Sequence, residues 1–178
     1  MTARPAPGTR AQLGVLRWSV ARLGGMAAGT GPPNLFTTLG RHRGLFWGWL
    51  HFAGRLMLGG RLSRRHTELA ILRVAHLRGC RYELDHHTRL SRRAGLTDQD
   101  RAALAMAPSA AGWPPQEAAI LAAVDSLHGH QDLDDDTWDD LRTWLDDEQV
   151  IELCLLVGHY EMLATTIAAL RIEPDRAR

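Results

Sequence analysis

The chain has 178 residues, 45% of them hydrophobic and 23% charged, with 21 Lys+Arg against 20 Asp+Glu and a formal net charge of +1. This length supports one domain whose core needs no staples, and the balanced charge, with both signs interspersed, leaves no footprint for nucleic acid. Cys80 and Cys154 are too few and too far apart for a disulfide framework.

The N-terminus lacks the apolar core of a signal peptide. No run approaches the ~18 apolar residues of a membrane span. The expectation is a cytoplasmic protein with no nucleic-acid or membrane partner.

Residues 1–8 are rich in Pro and Gly and read as a loose tail; residues 9–174 read as a single helical domain. Leu13, Leu16, Val20 and Leu23 give Ala11–Leu23 an amphipathic helix. Gly24–Pro33 follows as a loop. Asn34–Leu39 and Gly44–Leu58 read as helices, the second ended by Gly59 and Gly60. Ser63 is an N-cap for Arg64–Leu77. A helix over Cys80–Ala94 is closed by Gly95. Thr97 and Asp100 form a capping box for a short helix to Met106. Ala107–Pro115 is a loop with three prolines. Gln116–His128 is helical, and an acidic loop, Asp132–Asp136, leads to Thr137–Leu145. The last helix spans Glu148–Leu170. No window alternates like a half-buried strand, so the fold class is all-α, a compact helical bundle. Leu153–Leu170 is apolar on more than one face, which predicts a homo-oligomer.

Cys80, Glu83 and His87 are spaced by three and four residues, so one helix face carries a thiol, a carboxyl and an imidazole. Gly79 suits a break that puts Cys80 at a helix N-terminus, where the dipole favours a thiolate. Glu68 lies in the preceding helix. Arg64, Arg65, Arg73, Arg78 and Arg81 surround the motif, either to attract an anion or to pair with Glu68, Asp85 or a neighbouring subunit. One of Phe46, Trp47 and Trp49 could wall a pocket. His128 and His130 before the acidic loop read as a solvated cluster rather than a metal site. No Gly-rich phosphate loop, zinc spacing or nucleophile elbow is present, so no cofactor and no metal is expected.

The segment Glu68–Leu96 resembles the carboxymuconolactone decarboxylase and alkylhydroperoxidase D superfamily. The matching residues are Glu68-Leu-Ala-Ile-Leu-Arg-Val-Ala-His, Gly79-Cys80-Arg-Tyr82-Glu83, His87 and Ala94-Gly95-Leu96-Thr97, within a core motif at 62–104. Val157-Gly158-His159-Tyr160 in the last helix extends the likeness. Carried over residue by residue, Glu68, Cys80 and His87 match the family's Glu, first Cys and His. Glu83 stands where the alkylhydroperoxidase D branch has its second Cys, so the chain looks like a subgroup lacking that partner and cannot form the disulfide. The family's habit implies a trimer or hexamer.

The resemblance and the residues together imply a small-molecule enzyme with Glu68, Cys80, Glu83 and His87 as catalytic candidates. Tyr82 and His86 are candidate substrate contacts, with Asp85 and His86 either substrate-specific or plain surface residues. The first reading is acid–base chemistry without redox turnover: decarboxylation, isomerisation, or proton transfer in a lactone or ring, on an organic acid or lactone. The second is a one-cysteine alkylhydroperoxidase in which an external thiol resolves Cys80. The third is a non-catalytic module that binds a ligand or senses oxidants.

Overall fold

Helix starts follow the caps. A computed structural model describes residues 3–110 and 112–176. Among these it holds nine α-helices and no β-strand: α1 (Arg10–Ala28), α2 (Asn34–Leu39), α3 (Arg43–Leu58), α4 (Arg64–Leu77), α5 (Arg81–Arg93), α6 (Asp98–Ala103), α7 (Pro115–His130), α8 (Asp135–Trp144) and α9 (Asp147–Leu170). Ser63 Oγ accepts from the His66 N–H at 3.1 Å, and Thr97 and Asp100 close their box as expected. These bonds satisfy N–H groups that have no partner within the helix.

Several boundaries differ from expectation: α6 ends at Ala103 rather than Met106, and α7 runs over Pro115–His130 rather than Gln116–His128. Three further differences have a visible cause. The first helix runs through Gly24 and Gly25 to Ala28, since the glycines serve close approach rather than a loop. A Cβ on Gly25 would lie 1.9 Å from the Gly31 carbonyl oxygen, and the Thr30 N–H donates to Gly25 O at 2.8 Å. In the acidic stretch, Asp134 caps α8 by accepting from Thr137 N at 2.8 Å, and Asp135 and Asp136 fill the first turn. Carboxylates there complement the helix dipole. Finally, within the described part of the expected loose tail, residues 3–8, two N–H groups are bonded to the body: Arg4 N–H donates to Leu170 O (2.8 Å) and Gly8 N–H to Thr37 O (3.0 Å); residues 1 and 2 lie outside the described residues.

Helix α4 is central and packs against α5, α7 and α9. Every residue from Thr67 to Ala75 is buried. A helix buried all round must pair its polar side chains internally. Arg73 does so by a two-pronged bond to Asp125 (2.6 Å each) and bonds to the carbonyls of Leu104 and Met106 (2.7 Å each). Glu68 is the other buried charge, and it sets the position of the site.

Helix α9 is long and apolar enough to cross a membrane by length and composition, which the sequence reading did not anticipate. Its inner face, including Leu153, Leu156 and Leu163, lies in the main core, and Glu152 and His159 are buried along it. Ile151, Leu155 and Met162 remain exposed on its outer side. Together with Leu45 and Phe52 of α3, Leu155 and Met162 line an apolar groove of about 980 Å³.

Candidate active site

The chain breaks between α4 and α5 at Gly79, whose φ of +58° is left-handed. Cys80 becomes the residue before α5. The turn lays α5 against α4 so that His87 meets Glu68. His87 Nδ1–H donates to Glu68 Oε2 at 2.8 Å, and Glu68 Oε1 accepts from Arg64, one helical turn earlier, at 2.6 Å. The other imidazole nitrogen, Nε2, lies 3.1 Å from the Tyr160 hydroxyl of α9 and 3.4 Å from Glu83 Oε2. Tyr160 has only a thioether, Met57 Sδ at 3.5 Å, to take its own proton. Glu68 is fully buried, and Glu83 and His87 are each 3% exposed.

Burial by itself would lower the His87 pKa. The Glu68 carboxylate bonded to it, with Glu83 adding, overcomes this and pushes it up to about 9, so the ring is an imidazolium at neutral pH. A folded-state pKa raised above the ordinary 6.5 gives stability that is fully present below about 6.5 and lost as pH rises through about 9. The stability advantage of the protein over its His87→Gln variant should therefore shrink across that window in urea titrations. An advantage constant from pH 6 to 9.5 would contradict the imidazolium. Burial pushes the Tyr160 hydroxyl well up, with the Glu83 and Glu68 charges adding, so Tyr160 stays a protonated phenol. Burial lowers His159, which stays neutral.

Cys80 departs from the expected thiolate. Burial pushes the thiol up and the Glu83 carboxylate adds to this, against the opposing pull of the Glu83 and Tyr82 N–H groups. The residue is 7% exposed and packs in the main core with Leu35, Tyr82 and Ile71. Both cysteines are free.

A cavity of about 280 Å³ opens over this constellation. Glu83, His86, His87, His159 and Tyr160 line it, with apolar walls from Leu35, Phe36, Trp49, Met57, Leu90 and Leu163. The larger α3/α9 groove shares Trp49, His159 and Leu163 with it but none of the charged groups. The charged cavity is therefore the candidate site, although it is the smaller. Tyr82 presents its ring to the cavity, because its hydroxyl accepts from Leu35 N (3.3 Å) and donates to Asp175 Oδ2 (2.8 Å). His86 stacks on Tyr82 at 6.2 Å, and its Nδ1 sits 3.8 Å from the same carboxylate. Asp175 also accepts from Asn34 N at 2.7 Å.

Of the sequence candidates, Glu68, Glu83 and His87 come together, Tyr82 and His86 form one wall, and Cys80 sits in the core beside them. Tyr160, His159 and Trp49 complete the site. The spacing rules that picked out α5 do not reach them, although His159 and Tyr160 fall in the family-like stretch of the last helix. For four of the five arginines the open choice resolves to pairing, Arg64 with Glu68, Arg65 with Glu117, Arg73 with Asp125 and Arg78 with Glu161, while Arg81 is exposed. Asp85 is exposed. His128 bonds to Glu161 at 2.7 Å. No group of three or more His, Cys, Asp or Glu able to hold a metal occurs among the described residues.

Residues 43–125 match the carboxymuconolactone decarboxylase family. The fold is that of an alkylhydroperoxidase AhpD core protein from Ralstonia eutropha JMP134 (TM-score 0.86, 18% identity, 98% of this chain and 93% of that one). An uncharacterized peroxidase-related protein from Silicibacter sp. TM1040 is similar over 99% of this chain and 95% of its own (TM-score 0.82, 15% identity). The debrominase Bmp8, as a cysteine-to-alanine variant in complex with 2,3,4-tribromopyrrole, superposes with TM-score 0.80 at 19% identity over 97% of this chain and 91% of that one. The family match covers just under half of the chain, and the structural likeness, at 15–19% identity, extends over nearly all of it as a shared alkylhydroperoxidase-type fold. No curated protein sequence matches the chain.

Proposed function

We propose that the protein is an enzyme that transfers protons on a small organic molecule held in the cavity, without redox turnover. The observation that carries this is the buried His87 imidazole, fixed on one nitrogen by Glu68 and presenting the other beside Glu83 and Tyr160. An acid and a carboxyl base side by side let Glu83 take a proton from the substrate while His87 or Tyr160 gives one. Isomerisation, lactone opening and decarboxylation all use that pair. Glu68 positions His87 and balances its charge. Tyr82 and His86 shape the substrate wall, and Cys80, a neutral buried thiol, packs behind the site. Self-association as a trimer or hexamer is part of the same reading, supported by the exposed apolar residues of α3 and α9.

A second reading, a one-cysteine peroxidase, draws on the position of Cys80 at the start of α5 and on the alkylhydroperoxidase fold. There the Cys80 thiolate would attack a hydroperoxide, giving a sulfenic acid and releasing the alcohol. Two equivalents of an external thiol would restore the thiol, releasing their disulfide and water. The two readings separate in one experiment. With excess thiol and an alkyl hydroperoxide, the protein should show no catalytic consumption, and mass spectrometry should find Cys80 unoxidised. Turnover that disappears in Cys80→Ser would establish the peroxidase instead.

A further inference from the structure

We infer that the cavity is built for an uncharged ring compound of about ten non-hydrogen atoms that carries an O–H or N–H group, donating to Glu83 and accepting from Trp49. This rests on the proposed function only in sharing its cavity.

Among the described residues, eight buried side-chain polar atoms lack a hydrogen-bond partner. Four of them, Trp49 Nε1, Glu83 Oε1, His86 Nδ1 and His159 Nδ1, belong to residues that line this cavity. Trp49 and His159 also border the α3/α9 groove, and His86 Nδ1 faces Asp175 at 3.8 Å. Glu83 Oε1 is thus the one confined to this cavity, and Trp49 Nε1 is the obligate donor of the four. Buried polar groups are almost always paired, so a gathering of unpaired ones around a cavity describes the hydrogen bonds of its guest. A carboxylate only accepts and an indole N–H only donates. The guest must therefore both donate and accept. A phenolic hydroxyl does both at one oxygen; a ring N–H beside a carbonyl or ring nitrogen does so on neighbouring atoms.

Charge sets the next limit. Among the described residues, no arginine lines the cavity. Arg64 stands behind Glu68, and the formal charges of Arg64, Glu68, Glu83 and His87 cancel. A carboxylate guest would bring its charge to the unpaired Glu83 oxygen, with only an imidazolium already shared by two carboxylates to receive it. A cationic guest would face that imidazolium. The rest of the wall, including Leu35, Phe36, Met57 and Leu163, is apolar and suits a flat hydrocarbon ring. A volume of about 280 Å³ holds roughly nine waters at about 30 Å³ each, which sets the size of the ring. An anionic organic acid, one of the substrates the sequence suggested, fits these walls less well than a neutral phenol or a neutral lactone that carries a hydroxyl.

Equilibrium dialysis at pH 7 with three matched probes tests this: 2-naphthol, 2-methylnaphthalene, which lacks the hydroxyl, and 2-naphthoate. The expected order puts 2-naphthol at least about tenfold tighter than either of the others. Ala53→Trp, which fills the cavity from α3, should abolish its binding. Trp49→Phe should weaken it severalfold, and Glu83→Gln should relieve the bias against 2-naphthoate. The inference is overturned if 2-methylnaphthalene or 2-naphthoate matches 2-naphthol, if no probe binds, or if Ala53→Trp leaves binding intact. Binding is read without turnover, so a Cys80-dependent peroxidase activity would sink the proposed reaction and leave this ranking untouched.

Discussion

Replacing His87 by alanine is expected to slow turnover of a converted substrate by about 10²–10⁴-fold, the usual worth of a positioned acid or base. Glu68→Gln should cost a similar amount by another route. An amide keeps the shape but cannot balance an imidazolium, so the ring, still buried, would lose its proton at lower pH. Its pH–rate profile should therefore shift to lower pH, whereas a variant that merely loosened packing would keep the same profile at reduced height. Cys80→Ala should retain activity within about threefold, because the thiol is buried, protonated and packed in the core. The decisive comparison is kcat and KM for the three variants on one substrate. A loss at Cys80 equal to that at His87 would move the chemistry to sulfur.

The largest expected effect on stability belongs to a residue outside the site. Arg73 is 6% exposed and bridges α4, α7 and the segment after α6 through four hydrogen bonds. Arg73→Ala would strand the carbonyls of Leu104 and Met106 and leave Asp125 without its cation. Removing one partner of a buried pair costs about 3–5 kcal/mol. The Asp125 side chain is 31% exposed, so water relieves part of this and the lower end applies. Arg61→Ala provides the contrast: its bridge to Glu148 joins side chains 64% and 67% exposed, and such pairs contribute about 0–1 kcal/mol. Urea unfolding of both variants, with the slope checked for two-state behaviour, measures the difference. Equal destabilisation would mean the Arg73 cluster is no more than a surface bridge.

The sequence carried most of what is local. Ser63, Thr97 and Gly79 mark helix ends through their own side chains or backbone freedom, and all three fall at observed boundaries. The three- and four-residue steps among Cys80, Glu83 and His87 place them on one face of α5 whatever lies opposite. What lies opposite was not legible. Tyr160 meets His87 from a helix 73 residues away, a contact that no spacing rule contains. Cys80 shows the reverse failure. Its local position at a helix start favours a thiolate, but burial is a tertiary quantity, and it decides the other way. Gly24 and Gly25 read as loop because glycine weakens helices, whereas Gly24 makes room for the Phe36 ring and Gly25 lets the Gly31 backbone approach. The arginines read equally well as an anion trap or as ion-pair partners, because their carboxylates lie mostly in other helices.

Asp175 has a consequence for how the protein comes into being. Its carboxylate holds the Tyr82 hydroxyl, 93 residues earlier, and the Asn34 N–H, 141 residues earlier. A chain synthesised from its N-terminus has α2 and α5 long before it has Asp175. The wall made by Tyr82 and His86 therefore cannot be finished before the chain has been made past Asp175, and loop closure over that separation is among the slower steps of folding. Until then the nascent polypeptide carries every catalytic candidate while its candidate binding chamber still lacks this fastening.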